Sequence, residues 1–148
     1  MITYRSEVSI ARPPEAVFRY LVEPEKQALW SDVPMRALTP GPMQTGSRIE
    51  VTFGAGPLKA TVGLDLTVEP NRRMAFQSFS GPIGWRGEYV LEPATGGGTR
   101  LRQEGTLTFQ GLWRLMEPIA GREISSGEEK ELERLKAVVE RGAQPSAR

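Results

Sequence analysis

Residues 2–30, ITYRSEVSIARPPEAVFRYLVEPEKQALW, change period once, and sharply. Up to Ile10 the chain alternates, Ile2, Tyr4, Ser6, Val8 and Ile10 against Thr3, Arg5, Glu7 and Ser9, the period-two pattern of a strand with one covered face. At Arg12-Pro13-Pro14-Glu15 the period becomes helical: proline suits a first helical turn, and Val17, Phe18, Leu21 and Val22 then share one side of a short helix. A second short helix starts near Pro24 and carries Ala28, Leu29 and Trp30, and Pro34 ends the helical stretch.

Beyond Pro34 the chain reads as six strands separated by Gly and Pro, the pattern of an antiparallel meander. They span 35–39, 48–53, 58–68, 72–80, 83–91 and 99–109, the last two joined across a turn at Gly96-Gly97-Gly98. From Leu112 the spacing is helical again, with Leu112, Leu115, Met116, Ile119, Ala120, Ile124, Leu132, Leu135, Val138 and Val139 on one broad stripe. This predicts one long helix kinked at Pro118 and weakened at Gly121 and Gly127. Its second half, 128–140, is sturdier, with a charged outer face, and Gly142 supplies a stop. The expected fold class is α+β: a seven-stranded curved antiparallel sheet wrapped around a long C-terminal helix, in one domain over 1–142 followed by a disordered tail at 143–148.

Composition narrows the chemistry. A chain of 148 residues fits one domain and can bury a core without covalent staples. It has no cysteine, so disulfides, a thiol nucleophile and thiolate metal ligation are all excluded, and a reducing cytoplasm is the expected compartment. It has no histidine either, which leaves carboxylates, Tyr, Lys and Arg for any acid–base step; no cofactor or metal is expected. A net charge of +1 gives no drive toward nucleic acid. The N-terminus lacks a basic segment followed by an apolar run, and no apolar stretch approaches the roughly 18 residues of a spanning helix, so neither secretion nor membrane insertion is expected.

Several motifs resemble one family. The segment SIARPPEAVFRYLVEPEKQALW (9–30) is similar to the first strand, proline-initiated helix and tryptophan-terminated second helix of the birch-pollen-allergen/START-like superfamily. LTPGPMQTGSRI (38–49) is similar to its glycine-rich loop between the second and third strands, and GGGTRL (96–101) and LERLKAVVE (132–140) match as well. Together they resemble its bacterial polyketide cyclase/dehydratase-like group, over about residues 4 to 141. The resemblance implies a helix-grip fold. It is less specific for function, since that fold hosts carriers, receptors, cyclases and co-chaperones.

A sheet wrapped around a helix turns alternate side chains inward. By that rule Phe53, Val62, Leu64, Phe76, Trp85, Gly87, Tyr89, Gln103 and Gly105 line the interior, with Met116 and Ile119 facing them from the helix and Trp30 at the mouth or stapling the helices to the sheet. Each is first of all a core residue by type. Gly87 and Gly105 fall at inner positions of neighbouring strands, where glycine either leaves open volume or marks a bend. Aromatic area beside the polar tips of Trp85, Tyr89 and Gln103 is the composition of a small-molecule pocket. The expected function is therefore binding or transport of a small hydrophobic ligand by a monomer or weak homodimer. The alternatives are a cyclase or dehydratase on a polyketide-like substrate and a co-chaperone-like interaction module. Resemblance to cyclases implies roles for Tyr89, Tyr4 or Arg36 in orienting a polyketone. Among carboxylates, Asp65 and Glu88 read as outward, and Glu123 on the long helix faces either pocket or solvent. The loops Gly54-Ala55-Gly56-Pro57 and Ser80-Gly81-Pro82-Ile83 stand where a lid over the pocket would be, or are plain turns.

Overall fold

The structure, a computed structural model, describes residues 1–54, 57 and 59–142, and of residues 122, 123 and 125 the backbone alone. Strand β1 (Ile2–Ile10) buries Ile2, Tyr4, Val8 and Ile10 and exposes their neighbours, as its alternation requires. Helix α1 (Pro14–Val22) opens on proline after an extended Pro13 and buries Val17, Phe18, Tyr20, Leu21 and Val22. Helix α2 (Pro24–Gln27) is a single turn, shorter than the sequence suggests, and Trp30 lies beyond it, its indole N–H donating to the Tyr20 carbonyl at 2.8 Å.

Six strands follow: β2 (Met35–Ala37), β3 (Arg48–Phe53), β4 (Ala60–Glu69), β5 (Arg73–Ser80), β6 (Ile83–Pro93) and β7 (Thr99–Phe109). With β1 they form one antiparallel sheet in the order β1-β7-β6-β5-β4-β3-β2, so β1 crosses to pair with β7 while the rest meander. A short 3-10 segment (Gly111–Met116) leads into helix α3 (Glu117–Arg141). The expected kink at Pro118 is absent. Proline sits in the first turn of α3, where its missing N–H has no helical acceptor to lose. Gly142 ends the helix in the left-handed conformation at φ 67°, its N–H directed to the Val138 and Val139 carbonyls.

Helix α3 runs alongside β1 in the same direction. The N-terminal ammonium pairs with Glu117, Ile2 packs against Gly121, the Lys136 ammonium donates to the Ser9 carbonyl, and the Ala11 N–H donates to Glu140 at 2.8 Å. Its two halves differ. Leu132, Leu135, Val138 and Val139 are buried in the core, whereas Ile119 is 63% exposed, as are Leu112 and Leu115, at 85% and 77%, in the 3-10 segment that leads into it. The tail at 143–148 lies outside the described residues.

Strand register sets the inner face in rows. One row runs Tyr4, Gly105, Gly87, Phe76 and Leu66 across β1, β7, β6, β5 and β4; the next runs Ser6, Gln103, Tyr89, Met74 and Val68. The two glycines of the first row do not open a hollow. A Cβ at Gly87 would stand 2.7 Å from the Phe76 ring, and one at Gly105 would fall on the Tyr4 ring, so the flanking aromatics fold over the glycines and fill the space that larger side chains would take. Ile119, expected to line the interior, faces solvent, because the helix presents Met116, Ala120 and Ile124 to the core instead.

Candidate functional site

The inner face carries a chain of aromatic contacts. Phe53 and Phe76 each meet Trp85 edge-on, with centroids 5.3 and 4.6 Å away; Phe76 continues to Tyr89 at 6.4 Å, and Tyr89 to Trp30 at 6.2 Å. Register between β5 and β6 brings Phe76, Trp85 and Tyr89 together, Phe53 reaches Trp85 from β3, and Trp30 comes from the segment after α2. Val62 and Leu64 are buried core beneath them, Met116 is partly buried on the core, and Trp113 is partly buried on the same core, stapling the 3-10 segment down.

Within this apolar lining lies a polar cluster. Gln103 is 1% exposed, and its side-chain nitrogen donates to the Tyr89 hydroxyl at 3.2 Å and to a Glu128 carboxylate oxygen from α3. The Trp85 indole N–H donates to the Tyr4 hydroxyl at 2.9 Å. Burial, and then the negative charge of Glu131 one turn on, pushes the Glu128 carboxyl up to about 7, against the opposing pull of the Gln103 hydrogen bond. Burial, with Glu128 second, also pushes the Tyr4 and Tyr89 phenols well up, so both keep their protons through the neutral range. Glu131 is raised by burial as well, and is tied to the segment after α2 by the Asp32 N–H at 3.4 Å and the Ser31 hydroxyl at 3.5 Å. The cluster thus holds two phenol donors and a carboxyl able to exchange a proton near neutrality, in surroundings that largely exclude water.

Glu128 is a functional candidate that the sequence reading did not single out, giving only a charged outer face to residues 128–140 as a whole. Its signal was present: Ile124, Glu128, Leu132 and Leu135 follow the helical spacing i, i+4, i+8 and i+11, so a carboxylate stands in the apolar stripe. Of the carboxylates singled out from sequence, Asp65 receives the Arg48 Nε–H at 2.7 Å and Glu88 the Arg73 Nε–H at 2.5 Å, both on the outer face; the Glu123 side chain lies outside the described residues. Arg36 is on the exposed edge strand β2, its Nε donating to Glu50 at 3.0 Å, away from the cluster. In the proposed lid, Ala55 and Gly56 lie outside the described residues, and the 80–83 loop is a tight turn that delivers Ile83 into the core.

An open hollow of about 910 Å³ lies on the other side of the sheet, over outward residues such as Thr3, Arg5, Thr67, Arg73, Gln77 and Glu88. Arg5, Arg73 and Arg86 line it, Arg73 paired with Glu88 and Glu69, and the hollow lies open to water, so it offers an apolar ligand little to gain. Among the described residues no helix is long and apolar enough to cross a membrane.

Comparison with known proteins adds relatives to this geometry. A family model described as polyketide cyclase / dehydrase and lipid transport matches residues 1–140. No curated protein matches the chain. Among solved structures, a protein of Thermus thermophilus is 20% identical, with 96% of this chain and 99% of that one covered and a TM-score of 0.78. One from Deinococcus radiodurans is 24% identical, with 95% and 99% covered and a TM-score of 0.68. The Zhui aromatase/cyclase from a Streptomyces species, strain R1128, is 14% identical, with 96% and 95% covered and a TM-score of 0.75. At these identities the likeness is one of fold.

Proposed function

The chain belongs to the polyketide cyclase / dehydrase and lipid transport family, and from that premise we propose that it binds a small, largely apolar, oxygen-bearing molecule between the first half of α3 and the inner face of β1, β7 and β6. The observation that carries this reading is the Gln103–Tyr89–Glu128 cluster, a polar point inside an aromatic lining, which is how small-molecule sites combine area with orientation. The inner face is packed in this state, so uptake requires the first half of α3 to lift. That half is weakly built: Gly121 and Gly127 interrupt it, Ile119 faces solvent as do Leu112 and Leu115 in the 3-10 segment before it, and its ion pair is with the exposed N-terminus. Burying about 300 Å² of apolar ligand at ~25 cal/mol/Å² contributes roughly 7 kcal/mol before association costs, so the apolar contact alone gives affinity no tighter than micromolar.

A second reading, a cyclase or dehydratase acting on a polyketide-like substrate, is favoured by the Glu128 carboxyl, whose pKa of about 7 suits a general acid or base at neutral pH. One experiment addresses both. Native mass spectrometry of protein purified from the cell is expected to show a co-purified small molecule. For a carrier, wild type and Glu128→Gln hold the same mass; for a dehydratase, the variant holds a species heavier by one water. A homogeneous empty mass, together with no uptake of an apolar fluorescent dye, removes the binding reading.

A further inference from the structure

The Gln103 amide is satisfied on one side only. Its nitrogen serves Tyr89 and Glu128, while its oxygen, on a residue 1% exposed, meets no partner among the described residues. Directly across the β1–β7 ladder, Ser6 is the Cα partner of Gln103, and its hydroxyl is likewise buried without a partner. An acceptor held in an apolar interior without a donor is costly, and native proteins keep such groups where a ligand or water completes them. The acceptor thus meets no protein donor among the described residues at the polar point of the proposed site.

The charges around it restrict what can fill it. Glu128 is faced by Tyr4 from β1, Tyr89 from β6, Gln103 from β7 and Glu131 from its own helix. Behind Glu131 stand Asp32, from the segment after α2, and Arg134, whose guanidinium is engaged at 2.9 Å by both the Asp32 carboxylate and the Trp30 carbonyl. The cation that acts on Glu131 is therefore already engaged by other oxygens, and among the described side chains those facing the cluster are neutral or negative.

We propose that the ligand's buried end is an uncharged hydroxyl, a phenol or an enol, which donates to Gln103 Oε1, and that carboxylate-ended molecules, fatty acids included, are kept out by the Glu128–Glu131 pair while it is ionised. This names the substrate class of the site proposed above and rests on that binding reading. An open acceptor selects a donor, and two carboxylates in a low-dielectric site repel a third. Protonation of Glu128 relieves part of that repulsion, so the exclusion is strongest on the alkaline side of neutrality.

Three probes of one ring system separate the outcomes: 2-naphthol, 2-naphthoate and 2-acetonaphthone, each displacing an apolar fluorescent dye. Naphthol is expected to bind with one affinity at about pH 6 and pH 8, while naphthoate binds ~10-fold more weakly at the higher pH, the change that one titrating neighbour can impose. Glu128→Gln is expected to level the naphthoate affinity between the two. Naphthoate that matches naphthol at the higher pH overturns the exclusion, and a preference for the ketone over naphthol overturns the hydroxyl assignment. Dye uptake that naphthol does not displace overturns it too. If neither dye nor probe enters at either pH, the binding reading itself falls.

Discussion

Glu128 places a carboxylate where burial disfavours its charge, and the consequence for stability has a definite sign. Its folded-state pKa, about 7, lies above the ordinary value of 4.5, so the folded protein holds this proton more tightly than the unfolded chain does. The associated stability is fully present below about pH 4.5 and is lost as the pH rises through 7. At about 1.4 kcal/mol per unit, discounted for the part of the side chain that water reaches, the loss is on the order of 2 kcal/mol. Glu128→Gln should therefore raise the melting temperature at about pH 8 by roughly 4 to 8 °C, and the gain should shrink toward pH 5. Thermal unfolding followed by circular dichroism across that range checks it; a gain independent of pH would mean that the carboxylate is solvated. Gly105 supplies a second case. Because an added Cβ falls on the Tyr4 ring, Gly105→Ala should destabilise by about 1 to 3 kcal/mol in urea unfolding, an overpacking cost, and an unchanged midpoint would show that the ring swings away freely. The alternation of β6 and β7 marked the glycines as inward, but which neighbour fills the place above a glycine depends on register between strands about 100 residues apart, as in the Tyr4–Gly105 pair, and a single strand's pattern does not contain that.

At the scale of elements, strands were legible because they obey a period of two against one covered face: β1, β3 and β7 lie where the alternation predicts, and β2, β4, β5 and β6 differ at their ends. The helices were harder to read. α2 stops after one turn, and the stripe that begins at Leu112 proves to be a 3-10 segment followed by a proline-started helix. Hydrophobic spacing alone does not distinguish a buried stripe from one left facing water, as Leu112, Leu115 and Ile119 are. The contrast between the halves of α3 yields a prediction. At Gly127 a Cβ would meet nothing within 4 Å, so Gly127→Ala costs no contact and gains about 0.5 to 1 kcal/mol of helix propensity. The variant should melt higher and take up dye more slowly, since the lifting half becomes stiffer. A lower melting temperature would show that the glycine is needed for packing or for a bend.

The whole molecule is one open sheet with unlike edges. β2, three residues long, leaves little ladder for another chain to extend, and its Arg36–Glu50 ion pair adds charge there, while β1 is flanked along its length by α3. Family membership and fold agree at this scale, because a seven-strand order with a terminal helix is a global property that pattern and punctuation encode many times over. The order β1-β7 has a further consequence, for synthesis. β1 is made before the other six strands, but among the described residues its ladder partner is β7 and its cover is α3, so it waits unpaired until the sheet's last strand has emerged. The nascent protein can assemble its meander early, but it exposes an apolar groove and a bare β7 edge to chaperones until β1 and α3 close over them.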